Sequence, residues 1–252
     1  MSEKNMEYAI EIKQLHKAYG SKEAVAGISL QVEYGSLLAL LGVNGAGKTT
    51  TIRMLTGLSK PTGGDALVLG RSVIRELDAV KKISNVSPQE TAVAPNLTVK
   101  ENLVFMSQIY GQNKKETTVR VEEILDQFDL REVEKQKAGT LSGGWQRRVS
   151  IAMALITNPK ILYLDEPTLG LDVLARKELW RIIESLKGKV TIILTTHYME
   201  EAESLSDAVA VMVAGKIKAF GTVETLKAQT GKQSLEDAFI AIAEGEAVIC
   251  EA

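Results

Sequence analysis

The nonapeptide "GVNGAGKTT", residues 42–50, decides how this chain folds. It follows a short apolar run, "SLLALL", and it opens a segment with the spacing of a helix, "KTTTIRMLTGL". A strand, a glycine-rich loop and a helix in that order are the context that a phosphate-binding P-loop requires. Glycines allow consecutive backbone N–H groups to curl around phosphate oxygens, and the helix N-terminus adds a favourable dipole. The stretch therefore predicts a nucleotide-binding site.

Two side chains of this loop have specific predicted roles. Lys48 can reach the β- and γ-phosphates, and Thr49 can offer its hydroxyl to Mg²⁺. The residues that we expect to contact the nucleotide are Gly42, Asn44, Gly45, Ala46, Gly47, Lys48, Thr49 and Thr50.

The composition of the chain limits the classes of partner and the cellular compartment that we expect. The 252 residues have an ordinary globular composition, and the formal net charge of −2 argues against nucleic acid as the main partner. The one cysteine, Cys250, permits no disulfide within the chain, which suits a reducing compartment. The N-terminus lacks the apolar run of a signal peptide, and the apolar runs elsewhere are too short to span a bilayer. If the protein works at a membrane, we expect another chain to cross it.

The apolar pattern predicts an α/β protein with a mostly parallel sheet, an N-terminal antiparallel β subdomain and an inserted α-helical subdomain. Residues 7–34 alternate between apolar and polar, which is typical of strands in an antiparallel sheet. Six later apolar runs favour strands that are buried on both faces of a parallel sheet. These runs are "SLLALLG", "DALVLG", "KISNVSP", "KILYLDEP", "VTIILTTH" and "AVAVMVAG".

A purely helical pattern separates the strands near the middle of the chain. Thr98 and Ser142 stand where helix caps are expected, each before a run of helical spacing. One predicted helix face consists of Val121, Ile124, Leu125 and Phe128. The predicted parts of one domain, 1–252, are a core with the β subdomain over 7–97 and 159–230, a helical subdomain over 98–158 and a tail over 231–252.

Two adjacent carboxylates follow a buried strand in "ILYLDEP". Ligands of open α/β sheets bind at the carboxyl edge of the strands, so Asp165 and Glu166 are expected beside the P-loop. Asp165 fits the acid on the Mg²⁺ side of a P-loop nucleotidase, and Glu166 is a candidate base that orients the attacking water. A solvated acidic turn is the alternative, but four preceding apolar residues favour the functional interpretation.

Three more residues are candidates for the nucleotide-binding site because of their positions. Gln89 and His197 each end a predicted strand, where the amide can contact Mg²⁺ and water and the imidazole can contact the γ-phosphate. Tyr19 can stack on an adenine ring. Each could equally be an ordinary loop or packing residue, and only their shared position near the P-loop favours a functional role.

These segments together resemble the ATP-binding cassette (ABC) family over nearly the whole chain. The matching pieces, in the family's order, are Tyr19, "GVNGAGKTT", Gln89, "LSGGWQRR", "ILYLDEP", "LGLD" and His197. The turn "LSGG" shortly before "LDEP" is much more specific than the P-loop, which many nucleotidases share. The resemblance implies ATP and Mg²⁺ as cofactors and ATP hydrolysis as the activity.

The resemblance also implies a second chain. Ser142, Gly143 and Gly144 of one cassette would close over the ATP held by Lys48 of another, head to tail, with Asp172 at the seam. The second cassette can be identical or related. A separate transmembrane permease would be the other partner, and the chain would lie on the cytoplasmic face of the cell membrane.

Two departures from the family pattern concern the signature, which is the "LSGG" turn with the residues that follow it, and the seam between the two cassettes. Trp145 replaces a frequent glutamine, and Leu169 replaces a small or polar residue. Trp145 can alter how its helix meets the nucleotide or can simply pack within the helical lobe, and Leu169 makes the seam more apolar.

The segments "THYMEEAESLSDAVAVM" and "SLEDAFIAI" resemble the branch that serves drug, lipid or polymer exporters. A soluble ABC protein acting as an assembly or regulatory factor is the alternative. A chromosome-maintenance ATPase would need a long coiled-coil insertion, and a nucleotide kinase would leave "LSGG" unexplained.

Overall fold

Two β-sheets organise the protein, whose computed structural model describes residues 8–245. The strands are β1 (Tyr8–Tyr19), β2 (Lys22–Glu33), β3 (Leu37–Leu41), β4 (Gly63–Val68), β5 (Arg71–Ser72), β6 (Ser84–Ser87), β7 (Ile161–Asp165), β8 (Thr191–Thr196), β9 (Ala208–Val213) and β10 (Lys216–Gly221). The helices are α1 (Lys48–Leu55), α2 (Leu77–Ile83), α3 (Val99–Ile109), α4 (Lys114–Gln127), α5 (Gly143–Leu155), α6 (Val173–Glu184), α7 (Met199–Leu205), α8 (Val223–Thr230) and α9 (Leu235–Glu244). Cys250 and the end of the predicted tail lie outside the described residues.

The larger sheet has the strand order β10-β9-β3-β8-β7-β6. All its neighbours are parallel except β9 and β10, so the prediction of a mostly parallel sheet is confirmed. Every residue of β3, β7 and β8 is buried, which explains why these strands are apolar without alternation. Because parallel strands end at one edge, the loops after β3, β6, β7 and β8 meet there.

The smaller sheet is antiparallel, with the order β2-β1-β4-β5. The antiparallel prediction for residues 7–34 is therefore confirmed for β1 and β2. The assignment of "DALVLG" to the parallel sheet was wrong, because β4 pairs antiparallel with β1. Ala66 and Val68 are buried while Asp65 and Leu67 are partly exposed, so β4 buries one face only.

Two strands were not predicted at all, the two-residue β5 and the edge strand β10. β10 pairs antiparallel with β9 at the edge of the larger sheet, and only Ala219 in it is fully buried. Such an edge strand needs no long apolar run, because one side of its backbone and much of its surface remain open to water.

Helices α3, α4 and α5 lie between β6 and β7 in the chain and form the helical lobe. Thr98 caps α3 as predicted and forms a capping box with Glu101, and Asn113 and Glu116 form another at α4. The predicted helix face is buried throughout, and its residues are Val121, Ile124, Leu125 and Phe128.

The larger sheet separates two hydrophobic clusters. Leu37, Ala39 and Leu41 of β3 face the cluster that includes the helical lobe. Leu38 and Leu40 face the cluster that includes α1 and the smaller sheet. This alternation on one strand ties both subdomains to the strand that carries the P-loop.

Tyr163 is a fully buried residue of β7 that gives a test of this packing. Its hydroxyl has no hydrogen-bond partner among residues 8–245, and burial raises its pKa. Because an unpaired buried hydroxyl is destabilising, we predict that Tyr163→Phe raises the free energy of unfolding by about 1 kcal/mol. Urea denaturation should show a higher midpoint and an unchanged slope.

The matched control is Tyr19→Phe, which removes a hydroxyl from a half-exposed ring. It should change the free energy of unfolding by less than about 0.5 kcal/mol. A clear loss of stability in Tyr163→Phe would mean that its hydroxyl is satisfied in solution.

Candidate functional site

The P-loop connects β3 to α1, and its glycines are required by close contacts. A Cβ on Gly42 would lie 2.4 Å from the carbonyl oxygen of Met212, and one on Gly47 would lie 2.5 Å from that of Ala24. Gly45 and Gly47 also have φ values of 83° and 109°, which side chains other than glycine rarely adopt. The loop can therefore present its backbone N–H groups only with glycine at these positions.

Lys48 begins α1 and lies almost completely buried under the loop. Its ammonium donates to the carbonyl oxygen of Gly42 at 2.7 Å and to that of Val43 at 3.3 Å. It also lies 3.1 Å from Oε1 of Glu166. The loop thus holds the ammonium at the opening of the helix, where phosphate oxygens would add to its partners.

Asp165 ends β7 and accepts two hydroxyl hydrogen bonds at Oδ1. Thr49 Oγ1 donates at 3.0 Å and Thr195 Oγ1 at 2.6 Å. The adjoining hydroxyl of Thr49 and carboxylate of Asp165 are oxygen donors, which is the ligand type that Mg²⁺ prefers. The predicted pair therefore fits a magnesium ion, and Thr195 is a positioning partner that sequence reasoning missed.

Glu166 lies between two predicted site residues. Its Oε1 faces the ammonium of Lys48, and its Oε2 lies 2.7 Å from Nδ1 of His197. Its φ is 49°, a left-handed conformation that costs free energy in residues other than glycine. The backbone N–H of Glu166 donates to both the carbonyl and the hydroxyl of Thr195, at 3.1 and 3.0 Å. These bonds hold the strained backbone and aim the carboxylate at the P-loop.

The structure brings most of the predicted residues into one cleft of about 460 Å³. Tyr19 forms one wall, with its ring half exposed and its hydroxyl 3.3 Å from Ser59 Oγ. Lys22, the first residue of β2, also lines the cleft and was not predicted, because a single lysine at the start of a strand carries no distinctive signal. The predicted residues that line this cleft are Tyr19, Asn44, Gly45, Ala46, Gly47, Lys48, Thr49, Thr50, Gln89, Glu166 and His197.

Ser142, Gly143 and Gly144 do not line this cleft. Ser142 precedes α5 with the extended backbone of a cap residue, but its hydroxyl accepts no capping hydrogen bond, so that part of the capping prediction was wrong. Ser142 and Gly143 are exposed, and Ser142 lies at a separate opening with Trp145. The hydroxyl of Ser142 and the start of α5 are therefore not part of the cleft formed by the chain's own P-loop.

Trp145 and Asp172 have structural contacts in this chain. Trp145 packs against the core of the lobe, and the guanidinium of Arg148 lies 4.5 Å from its ring. Asp172 caps α6 by accepting from the N–H groups of Leu174 and Ala175 at 2.9 and 3.0 Å.

Two carboxylates beside a P-loop, at the carboxyl edge of a parallel sheet, define a P-loop nucleoside triphosphatase. A family model described as ABC transporter matches residues 25–169. The chain therefore belongs to the ABC transporter family, and it is an ATP-binding, ATP-hydrolysing subunit of a transporter.

Curated relatives agree with this assignment. The chain is 39% identical over 229 residues to the daunorubicin resistance ATP-binding protein DrrA3 of Streptomyces coeruleorubidus, covering 90% of this chain and 72% of that protein. It is 41% identical over 228 residues to the daunorubicin/doxorubicin resistance ATP-binding protein DrrA of Streptomyces peucetius, covering 90% and 69%. It is 42% identical over 209 residues to ABC transporter A family member 1 of Dictyostelium discoideum, covering 83% and 24%.

Solved structures share the fold. One, described as the ATP-binding subunit of an ABC transporter, superimposes with a TM-score of 0.83 at 29% identity and covers 93% of this chain and 99% of its own. The cbiO1 structure from Clostridium perfringens, described as part of the ABC transporter complex cbiONQ, has a TM-score of 0.81 at 26% identity, covering 89% and 92%. In residues 8–245, the helices are too short or too polar for a bilayer crossing.

The position of Thr195 generates a test of the site. Thr195→Val keeps the shape of the side chain but removes the hydroxyl that holds Asp165 and the N–H of Glu166. We predict that it lowers kcat about tenfold and raises the Mg²⁺ concentration for half-maximal activity, as loss of an outer-shell partner does. Steady-state phosphate release at varied Mg²⁺ measures both quantities.

Thr191→Val is the matched control on the same strand. The hydroxyl of Thr191 accepts from the N–H of Gly35 at 2.9 Å, at the opposite end of β8 from the site. This variant should lose stability without any change in kcat or in Mg²⁺ dependence. Equal kinetic effects of the two substitutions would refute a specific role for Thr195.

Proposed function

We propose that this chain drives export of a drug-like or lipid-like compound through a separate membrane-spanning partner, using Mg²⁺-dependent head-to-tail association of two cassettes. The observation that carries the proposal is the separation of the two phosphate-binding elements. The P-loop lines the cleft of about 460 Å³, whereas Ser142 and the start of α5 lie at another opening. A second cassette is needed to bring both elements onto one ATP.

Lys48 contacts Glu166 in the cleft. The γ-phosphate of ATP would compete with Glu166 for that ammonium, because the phosphate is an anion and the N-terminus of α1 favours anions. Glu166 would then be released to accept a hydrogen bond from the attacking water. In this proposal the nucleotide itself frees the base that hydrolyses it.

His197 has two ring nitrogens with different tasks. Nδ1 lies 2.7 Å from Glu166, which leaves Nε2 for the γ-phosphate. The imidazole therefore links the base to the group that is attacked. Gln89 borders the same cleft, where its amide can contact Mg²⁺ and the attacking water.

Mg²⁺ bound between Thr49 and Asp165 would neutralise charge that develops on the phosphate oxygens. Thr195 keeps Asp165 in place for that role through its hydrogen bond of 2.6 Å. Tyr19 supplies an exposed aromatic face at the other end of the cleft, suited to stacking on adenine.

The surface of the chain offers the second half of the clamp. Ser142 and Gly143 are exposed at the N-terminus of α5, where unpaired N–H groups favour an anion. Val173 and Leu174, just after Asp172, are 58% and 75% exposed, which places two adjacent aliphatic side chains at the surface. These residues fit the seam of a dimer, with an identical or a related cassette.

Transport needs a partner that crosses the membrane. α3 exposes Phe105 and Ile109 beside Tyr110, whose hydroxyl reaches Asn85 on β6 at 3.4 Å. This apolar surface of α3 lies close to β6, the strand that precedes Gln89, and it can bind the cytoplasmic helices of a permease. Two of the named relatives are drug-resistance ATP-binding proteins, which supports export and a place on the cytoplasmic face of the cell membrane.

The soluble alternative, an assembly or regulatory factor, is distinguished by its partners. The tagged full-length chain should co-purify from detergent-solubilised membranes with a polytopic protein, identified by mass spectrometry. Recovery of the chain from these cells without any such protein would favour the alternative.

Glu166→Gln tests the clamp directly. We predict that it keeps ATP binding, lowers kcat by about a hundredfold or more because the base is lost, and accumulates as a dimer. Phosphate release gives kcat, and size-exclusion chromatography with light scattering in Mg-ATP gives the mass of the particle.

Lys48→Ala is the control for this experiment. It removes the ammonium that holds the phosphates, so it should bind ATP weakly and remain monomeric under the same conditions. A Glu166→Gln variant that is saturated with ATP yet still monomeric, alone and with a related cassette, would disprove the head-to-tail clamp.

A further inference from the structure

Arg147 lies on α5, about one turn after the exposed signature residues, but it faces the interior of the protein. Its side chain is only about 5% exposed. The guanidinium donates from Nη1 to the carbonyl oxygen of Pro88 at 2.7 Å and from Nη2 to the carbonyl oxygen of Gln89. One guanidinium therefore holds two consecutive carbonyl groups, a geometry that lysine cannot reproduce.

The held residues begin a segment without regular structure. β6 ends at Ser87, and α3 begins only at Val99. Ser150, which lies one turn further along α5 than Arg147, shares a hydrogen bond of 3.0 Å with Ser87. The same helix therefore holds the end of the strand and the first two residues of the loop.

The charged guanidinium of Arg147 is buried close to two carboxylates. Burial lowers its pKa, while the nearby carboxylates of Asp165 and Glu201 favour its charged form. None of the ion pairs formed within residues 8–245 includes Arg147, so its direct partners are carbonyl oxygens of the loop. Arg148, the next residue, differs: it pairs with Glu178 and stacks on Trp145.

We infer that Arg147 is a positioning residue that couples the signature helix to the Gln89 loop, so that the two elements contacting the triphosphate move together. The inference rests on the proposed role of Gln89 at the metal and the water. A displacement of α5 by a second cassette would pull the backbone of Gln89 and change where its amide enters the cleft. Without the guanidinium, α5 and the amide could move independently.

A double-mutant cycle between Arg147 and Gln89 tests this inference on the full chain. Arg147→Lys keeps the charge beside Asp165 and Glu201 but loses the paired donation, and Arg147→Met removes both. We expect each to lower kcat about tenfold and to raise the half-saturating Mg²⁺ concentration, as loss of an outer-shell partner does. The affinity for ATP measured in EDTA should stay unchanged, because the P-loop is intact.

The combined variant carries the decisive result. Gln89→Ala together with Arg147→Lys should be no slower than the slower single variant, because both act through the same amide. Arg120→Met is the control, since Arg120 also donates to a lobe carbonyl, that of Leu155 at 3.0 Å, but lies away from the cleft. It should leave kcat and Mg²⁺ dependence unchanged.

Each alternative outcome has a separate meaning. A normal kcat and Mg²⁺ dependence for Arg147→Lys, or losses that multiply in the double variant, would overturn the inference. An undiminished kcat for Gln89→Ala would instead remove Gln89 from the proposed mechanism. If Arg147→Met fails to fold, Arg147→Lys alone decides the cycle.

Discussion

The hydrogen bond between Thr195 and Asp165, 2.6 Å long, joins the two strands whose ends carry the catalytic groups. Thr195 also accepts a hydrogen bond from the backbone N–H of Glu166, so one residue of β8 fixes both Asp165, which ends β7, and the adjoining Glu166. The parallel register that places Asp165 opposite Thr195 makes these bonds possible. Because Thr49 donates to the same carboxylate, the P-loop helix is tied to this point as well. The cleft has its shape because these strands end together.

The buried charges of the cleft compensate one another. Lys48 and Glu166 are each about 5% exposed, and removing either alone would leave an uncompensated charge in a poorly hydrated place. Arriving phosphates bring negative charge to the same ammonium, so the arrangement is suited to exchange one anion for another. Glu201 lies nearby with its pKa raised, chiefly by burial and also by the charge of Glu166. It accepts from the indole of Trp180 at 3.1 Å and remains outside the cleft.

Sequence reasoning was strongest where a motif is continuous. The P-loop, the pair Asp165 and Glu166 and the strand-end residues Gln89 and His197 were all predicted to meet at one sheet edge, and they line or adjoin one cleft. It was weaker where the information lies in pairing between distant segments. The run containing β4 has an apolar centre like the buried strands, and only its pairing with β1 places it in the antiparallel sheet. A capping serine is a statistical expectation, whereas the orientation of the Ser142 hydroxyl depends on its surroundings.

The sequence by itself determined the class of the protein, because the P-loop and signature turn need particular residues at fixed spacing along one chain. It determined the α/β order of elements for the same reason, since hydrophobic periodicity is a local property. Only the tertiary structure decided the left-handed φ of Glu166, the bonds of Thr195 and the hold of Arg147 on the Gln89 loop. Each of these depends on side chains that are tens of residues apart in the chain. Their contacts arise from strand register and helix packing, which no local pattern of residues records.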